Sequence, residues 1–393
     1  MFWLLFFYLL IYGAVHAELY LRVRPLLPRR WTLRFGLLAF FLIMVLLPIL
    51  ARVFERLDLI GLACATAWAA YLWMAFALFS WAFSLILWVL EWLLRGALSL
   101  ASSKLSPGAR AFLIIAAFPL ALTVQGFALL EARNPVIEQV VIATPKLPAG
   151  RERLRLVQIS DLHLGCMMDK ARVARIINLV ESQHPDILVA TGDIVDGYIP
   201  HHDHTAEKLA KIKAPLGKFA ITGNHEYYAG LAESIDFIRR AGFTILRQQS
   251  ATPAGLINLV GVDDSGRVGQ GKTGPDELPS LRKAVPGLFT ILLKHRPWVN
   301  PKSAELFDLQ LSGHTHGGQV YPFRYLVALA YPHIAGLYPL AQGSWLYVNR
   351  GAGTWGPPIR LLATPEITVV DLLRDNTVPS TAKRPRKALK EEK

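Results

Sequence analysis

Asp161-Leu-His163, Gly192-Asp193-Ile-Val-Asp196, Gly223-Asn224-His225-Glu226, His295 and Gly313-His314-Thr-His316 follow one another along the chain. Each polar cluster closes a run that reads as a β-strand. Carboxylate, imidazole and amide side chains of this kind hold divalent metals such as Zn, Mn or Fe. Asp193 could bridge two cations and partly neutralise both. Asn224 could supply a neutral oxygen. An isolated Asp-x-His pair or Gly-Asp step is an ordinary surface feature. All five clusters in order, each at a strand end, point instead to a centre for two divalent metals.

The spacing suggests how the ligands converge. In an extended turn, positions i and i+2 face the same way, so Asp161 and His163 would share one side. His314 and His316 repeat that step. Gly192 would let the backbone bend tightly before Asp193, and Gly313, Gly317 and Gly318 would permit close backbone approach.

Strands are expected at 154–160, 187–191, 219–222, 244–248, 257–262, 289–294, 309–312, 345–349 and 367–372. Helical patterns occupy 168–182, 206–212 and 231–241. This alternation implies a layered α/β domain. In such folds functional loops converge at strand ends, which is where the clusters lie.

Residues 151–375 resemble the calcineurin-like metallophosphoesterases. They carry Asp-x-His, Gly-Asp-x-x-Asp, Gly-Asn-His-Glu, His and Gly-His-x-His without a gap. The preceding apolar segments, Gly313-His-Thr-His-Gly-Gly-Gln319 and Pro365-Glu366-Ile367 are similar to the membrane-associated branch, which has bacterial and animal members. The resemblance implies an α/β fold class: N-terminal transmembrane helices, then a four-layer metallophosphoesterase domain with two mixed β-sheets flanked by helices. It implies that Asp161, His163 and His316 hold one metal, that Asn224, His295 and His314 hold the other, and that Asp193 bridges them. His225 would face the scissile phosphate and Asp196 would orient it. Two cations a few ångströms apart would lower the pKa of a shared water, giving hydroxide for in-line attack on phosphorus. An imidazole at His225 suits departure of the leaving group.

Composition decides where this domain sits. The chain has 393 residues, 53% of them hydrophobic, too apolar for an ordinary soluble domain. The excess lies in residues 1–130, where about four spans are expected, at 2–19, 35–50, between Asp58 and Glu91, and 111–130. Val15-His16-Ala17 would suit a signal peptidase, but no basic region precedes Phe2. The net charge of +13 includes Arg22, Arg24, Arg29, Arg30 and Arg34 after the first span, and a basic tail. By the positive-inside rule the loops at 22–34 and 91–110 face the cytoplasm. Four spans then leave the catalytic domain extracytoplasmic. The charge reads as topogenic, with a solvated tail, and not as a nucleic-acid surface. The expected organisation is a transmembrane region over 1–130, a linker or leading edge strand over 131–150, the catalytic domain over 151–375, and a basic disordered tail over 376–393. The two cysteines do not decide the redox compartment, and Cys166 is expected to be an unpaired packing residue.

Several neighbours have two readings each. His201, His202 and His204 could recruit phosphate or an extra metal, or form a solvated loop. Arg172, Arg296 and Arg350 could contact phosphate or serve the surface. Tyr227 and Tyr228 could pack against a leaving group or within the fold. The apolar, aromatic stretch 321–340 could be a covering loop, or a lip that dips toward the bilayer.

The leading expectation is a membrane-anchored dinuclear-metal phosphoesterase, with the catalytic domain on the outer side of a bacterial plasma membrane. Its substrate would be a phosphate ester or pyrophosphate, lipid-linked in the sharpest form. One alternative is a cytoplasmic-face UDP-diacylglucosamine-type lipid pyrophosphatase. Another is a non-catalytic membrane receptor or scaffold. The expected partners are the lipid bilayer and the substrate, with no nucleic acid. Oligomeric state is left open.

Overall fold

The computed structural model describes residues 2–100, 106–197, 203–266, 275–340 and 343–375. The chain divides into two units, Met1–Leu130 with Gly356–Ile359, and Glu131–Trp355 with Arg360–Lys393.

Among its described residues the first unit contains four α-helices, α1 (Phe2–Val23), α2 (Trp31–Arg56), α3 (Ile60–Leu100) and α4 (Pro107–Ala132). All four are long and apolar enough to cross a membrane. The expected spans are present, each extended at one or both ends. Pro48 and Pro119 lie inside α2 and α4 without ending them. At about 1.5 Å per residue, the 41 residues of α3 far exceed a ~30 Å hydrocarbon core.

The second unit contains β1 (Val136–Thr144), β2 (Arg153–Ile159), α5 (Lys170–Ser182), β3 (Ile187–Thr191), α6 (Asp203–Lys211), β4 (Lys218–Ile221), α7 (Asn224–Ala229), α8 (Leu231–Arg240) and β5 (Thr244–Ile245). It continues with β6 (Gln249–Ala251), β7 (Ile257–Gly261), α9 (Leu278–Leu281), β8 (Phe289–Leu293), β9 (Leu309–Ser312), α10 (Arg324–Ala330), β10 (Gly336–Pro339), β11 (Trp345–Val348) and β12 (Glu366–Arg374). Two mixed six-stranded sheets result, ordered β1-β12-β2-β3-β4-β5 and β10-β11-β9-β8-β7-β6. Of the two readings of residues 131–150, β1 is the edge strand, pairing in parallel with β12.

Strand alternation builds the layers. Leu154 and Leu156 of β2 join Ile187 and Val189 of β3 in a buried cluster with Ile257, Leu259, Ile291, Leu309 and Leu311 of the other sheet. Val157 and Ile159, one residue out of phase, instead meet Val173, Ile176, Ile177, Leu209, Phe237 and Ile238 from α5, α6 and α8. Val260 and Leu292 carry the outer face of the second sheet against Leu281 and Phe307. The order is therefore helices, sheet, sheet, then α9 with its neighbouring loops. Neither cysteine is free, which corrects the expectation of an unpaired Cys166. The tail at 376–393 and residues His201 and His202 lie outside the described residues.

Candidate metal centre

β2, β3 and β4 run parallel in the first sheet, and β8 and β9 run parallel in the second. Their C-terminal ends carry Asp161 and His163, Asp193, Asn224, His295, and His314 with His316. Among the described residues, three groupings bring ligand atoms within 4.8 Å of one another: Asp161, His163 and His316; His163, Asp193 and His225; and Asp193, His295 and His314. Asp193 and His163 link the groupings into one cluster.

The convergence is not that of extended turns. Asp161, His163, Asp193, His314 and His316 all have left-handed backbones, with φ of 52°, 49°, 52°, 73° and 51°. That region is sparsely occupied by side-chain-bearing residues, and its concentration here marks a site held by its surroundings. Backbone bonds hold it: Asp161 N–H donates to Gly192 O at 3.0 Å, His163 N–H to Asp193 O at 3.0 Å, and Gly313 N–H to His295 O at 2.9 Å. Gly192 has φ of 90°, and a Cβ there would lie 2.6 Å from Gly223 N and 2.7 Å from His295 Nδ1. Only glycine fits that approach.

Second partners aim each imidazole. His295 Nδ1 lies 2.8 Å from Thr191 O, which turns Nε2 toward Asp193 Oδ2 at 3.1 Å. His314 Nε2 lies 2.8 Å from the Tyr331 hydroxyl, leaving Nδ1 3.2 Å from His295 Nε2. His316 Nδ1 lies 2.9 Å from the Arg360 guanidinium, and its Nε2 faces His163 Nε2 at 3.0 Å. Such outer partners fix ring orientation in metal sites.

The donor set fits two cations. Four ring nitrogens and the Asp161 and Asp193 carboxylates crowd a buried space, where lone pairs facing one another repel unless a cation lies between them. Asn224 Oδ1 is buried without a hydrogen-bond partner, a costly arrangement for a carbonyl oxygen in the absence of a ligand. Burial pushes the Asp161 carboxyl up. Asp193 is held well below the usual carboxylate range, because His295 and His225 outweigh its burial.

His225 stands beside this cluster. Its Nδ1 is 3.1 Å from Asp196 Oδ1, and its ring centroid is 4.5 Å from that of His163. Burial opposes its charge, but Asp193 and Asp196 prevail and raise its pKa to about 9. Asp196 lies well below the usual range, because its contacts with His163 and His225 outweigh burial.

Three supporting residues have no role assigned from the sequence. Glu226 is fully buried and accepts from Asp193 N at 3.0 Å, Ile194 N at 2.7 Å and Gly223 N at 2.6 Å. It ties the Asp193 loop to the start of α7. Its place after Asn224-His225 is the one local signal. Arg360 is also fully buried and donates to His316 O at 2.7 Å, Gly353 O at 2.6 Å and Ala363 O at 3.2 Å. Tyr331 is the third, and only folding brings it to His314.

The flanking arginines are engaged elsewhere. Arg296 pairs with Asp264 at 2.8 and 3.1 Å. Arg350 bonds Glu138 and Glu366, each at 2.7 Å. Arg172 is buried, with Thr354 Oγ1 at 3.3 Å. His204 is exposed on α6 and 3.4 Å from Glu207. Tyr228 is exposed, with its ring 5.2 Å from that of His225.

A profile of the calcineurin-like phosphoesterases matches residues 154–318. An uncharacterized metallophosphoesterase of Aquifex aeolicus is 42% identical over 239 residues, covering 60% of this chain and 91% of that protein. A transmembrane protein with metallophosphoesterase domain from Danio rerio is 33% identical, covering 61% of this chain and 58% of that protein. An uncharacterized metallophosphoesterase of Campylobacter jejuni is 35% identical, over 61% and 64% of the two chains. The match thus spans less than two thirds of the latter two relatives. Among solved structures, a 5'-nucleotidase precursor from Thermus thermophilus gives a TM-score of 0.35 at 17% identity, over 56% and 54% of the chains.

Proposed function

The chain belongs to the calcineurin-like metallophosphoesterases, metal-dependent phosphoesterases, and on that premise we propose a membrane-anchored enzyme that hydrolyses a phosphate ester or pyrophosphate at a dinuclear centre. The carrying observation is the Asp193 carboxylate, placed between the Asp161–His163–His316 grouping and the His295–His314 pair. Asn224 Oδ1, buried and unbonded, supplies the remaining donor. The metals proposed are Mn, Zn or Fe, since mixed oxygen and imidazole donors suit all three.

When bound, two such cations lower the pKa of water and neutralise phosphoryl charge. The chain's own groups do the rest. Asp161, His163 and His316 hold one side, and Asn224, His295 and His314 hold the other. Asp196 fixes Nδ1 of His225 and leaves Nε2 to give a proton to the departing oxygen. Asp196 also favours the protonated form of His225.

The anchor is the four apolar helices. Basic residues flanking the α1–α2 connection (Arg22 to Arg34) and the α3–α4 connection (Arg95, Lys104, Arg110) support an extracytoplasmic catalytic domain in a bacterial plasma membrane. The cytoplasmic-face lipid pyrophosphatase reverses only the side. A topology reporter fused after residue 375 separates the two. A lipid-linked substrate suits an enzyme tethered in this way.

The test is metal analysis of the purified full chain, with turnover of bis-para-nitrophenyl phosphate under each metal. Two bound metals with hydrolysis are expected. Two metals without turnover on a broad ester panel would favour the scaffold reading.

A further inference from the structure

Residues 321–330 read Tyr-Pro-Phe-Arg-Tyr-Leu-Val-Ala-Leu-Ala and contain one charge, Arg324. Nine of the ten are exposed, and α10 buries none of its residues. Leu326 is 62% and Leu329 85% exposed. Isolated apolar side chains on a surface need no explanation, but a continuous run of this kind does. The run begins three residues after His316-Gly-Gly318 and ends against Tyr331, whose hydroxyl meets His314.

Hydrogen bonds tie Gln319, just before this run, and Tyr321, its first residue, to the segment that carries two further exposed apolar residues. Gln319 Nε2 donates to Trp355 O at 2.7 Å, and Trp355 N–H donates to Gln319 Oε1 at 3.0 Å. Trp355 is 57% exposed, and its ring centroid is 6.2 Å from that of His225. Tyr321 N–H donates to Leu361 O at 2.9 Å, and Leu361 N–H to Gln319 O at 3.0 Å. The exposed Leu362 follows. The surface therefore meets the metal cluster at two points, Tyr331 beside His314 and Trp355 beside His225.

Glu131 bears on what covers it. This residue lies in the last turn of α4. Its carboxylate accepts from Leu362 N at 3.0 Å, Ala363 N at 3.1 Å and Thr364 Oγ1 at 2.8 Å. A 26-residue helix rises about 39 Å, longer than a ~30 Å hydrocarbon core, so its charged last turn falls in the interfacial layer. Backbone bonded directly to Glu131 is held at the level where the chain leaves the bilayer. Tyrosine, tryptophan and a lone arginine among leucines form the composition that favours that layer.

We propose that the surface formed by residues 321–330, Trp355 and Leu362 inserts into the boundary between lipid headgroups and acyl chains, so that the metal centre takes an amphipathic phosphate ester from the bilayer. The docking stands on the exposed surface and the Glu131 bonds alone. The substrate class rests on the phosphoesterase reading above. The chains of such an ester stay among lipids beside α10 while its phosphate reaches the cluster.

The test uses the full chain in vesicles of phosphatidylethanolamine and phosphatidylglycerol. Because neither cysteine is free, a Leu329→Cys variant offers one thiol for an environment-sensitive fluorophore, and Lys283→Cys serves as an exposed control. Doxyl-labelled lipids should quench the label at 329 and spare the one at 283. Equal quenching at both positions overturns the docking. A label at 329 shielded from doxyl lipid and from aqueous iodide assigns the face to a protein partner, and also overturns it.

A second arm compares turnover of a vesicle-embedded phosphatidyl diester with that of soluble bis-para-nitrophenyl phosphate. In Leu326→Asp/Leu329→Asp the embedded-to-soluble ratio should fall about tenfold or more. An unchanged ratio, or a wild type that cleaves only the soluble ester, overturns the lipid-substrate half. If the wild type cleaves neither ester under any metal, the diester form of the substrate class fails, and quenching alone decides the docking.

Discussion

The Tyr331 hydroxyl lies 2.8 Å from Nε2 of His314. It is the outer partner of a candidate metal ligand, and it directly follows α10. One residue thus joins the exposed apolar run to the metal centre. Its partnership leaves His314 Nδ1 directed at the shared space with His295. Tyr331→Phe keeps the ring and removes that hydroxyl. The expected result is weaker metal binding at this side by about tenfold to a hundredfold. Competition with a chelator, read by metal content, checks it. Unchanged retention would show that the bond does not aim the imidazole.

Glu226 acts on backbone rather than on metal. It accepts N–H groups from both sides of the site, at Gly223 and at Asp193 and Ile194. Glu226→Gln replaces an acceptor oxygen with an amide NH2, a donor that faces donors. The cost expected is about 2–4 kcal/mol, from unpaired buried N–H groups. Hydrogen exchange at Ile194 and Gly223 should rise in the variant, and unaltered protection there would refute the assignment.

Asp193→Asn removes the charge between the two groupings, and His225→Ala removes the proton donor. Both variants should remain folded by circular dichroism, with turnover reduced at least about a hundredfold. Asp193→Asn should also lose metal, whereas His225→Ala should retain it. Near-normal hydrolysis of a generic diester by either variant would sink the mechanism.

The His225–Asp196 contact predicts a pH profile. The ordinary histidine value of 6.5 is raised to about 9, by Asp193 and Asp196 acting against burial. A donor of this kind is protonated below its pKa, so activity should fall as pH rises through the alkaline limb. Bound cations offset the Asp193 share, so the limb of the loaded enzyme comes at or below about 9. Asp196→Asn removes a raising partner and should move that limb to lower pH. A wild-type limb in kcat at unchanged pH in the variant would remove Asp196 from the orienting role.

Arg360 lies behind His316, bonded to the carbonyl of His316 itself and to that of Gly353 in the neighbouring loop. Arg360→Met should destabilise the catalytic domain by about 2–5 kcal/mol, because those carbonyls lose buried donors. Arg360→Lys should not restore it, since one ammonium cannot reproduce the planar fork. Thermal unfolding of the three proteins under one metal condition checks both statements.

The sequence determined a good deal unaided. The order of the five polar clusters, each after an apolar run, reveals the donor set, since residue type and strand end are local properties. Nine strands and four long apolar helices follow from hydrophobic runs for the same reason. Residues 131–150 stay open in the sequence between an edge strand and a linker, because prolines flank β1 and its partner β12 is more than 200 residues away. The left-handed backbones at Asp161, His163 and Asp193 were not legible, and an extended turn was the natural expectation. That geometry is imposed across strands, by carbonyls of Gly192 and Asp193 that no local pattern names. Tyr331, Arg360 and the link from Glu131 to Leu362 belong to the same class. Each joins residues that no local pattern pairs: Tyr331 reaches His314, Arg360 reaches His316, and Glu131 reaches Leu362. Local patterns carry the chemistry of each donor, whereas orientation, burial and the surroundings of the site arise from tertiary packing.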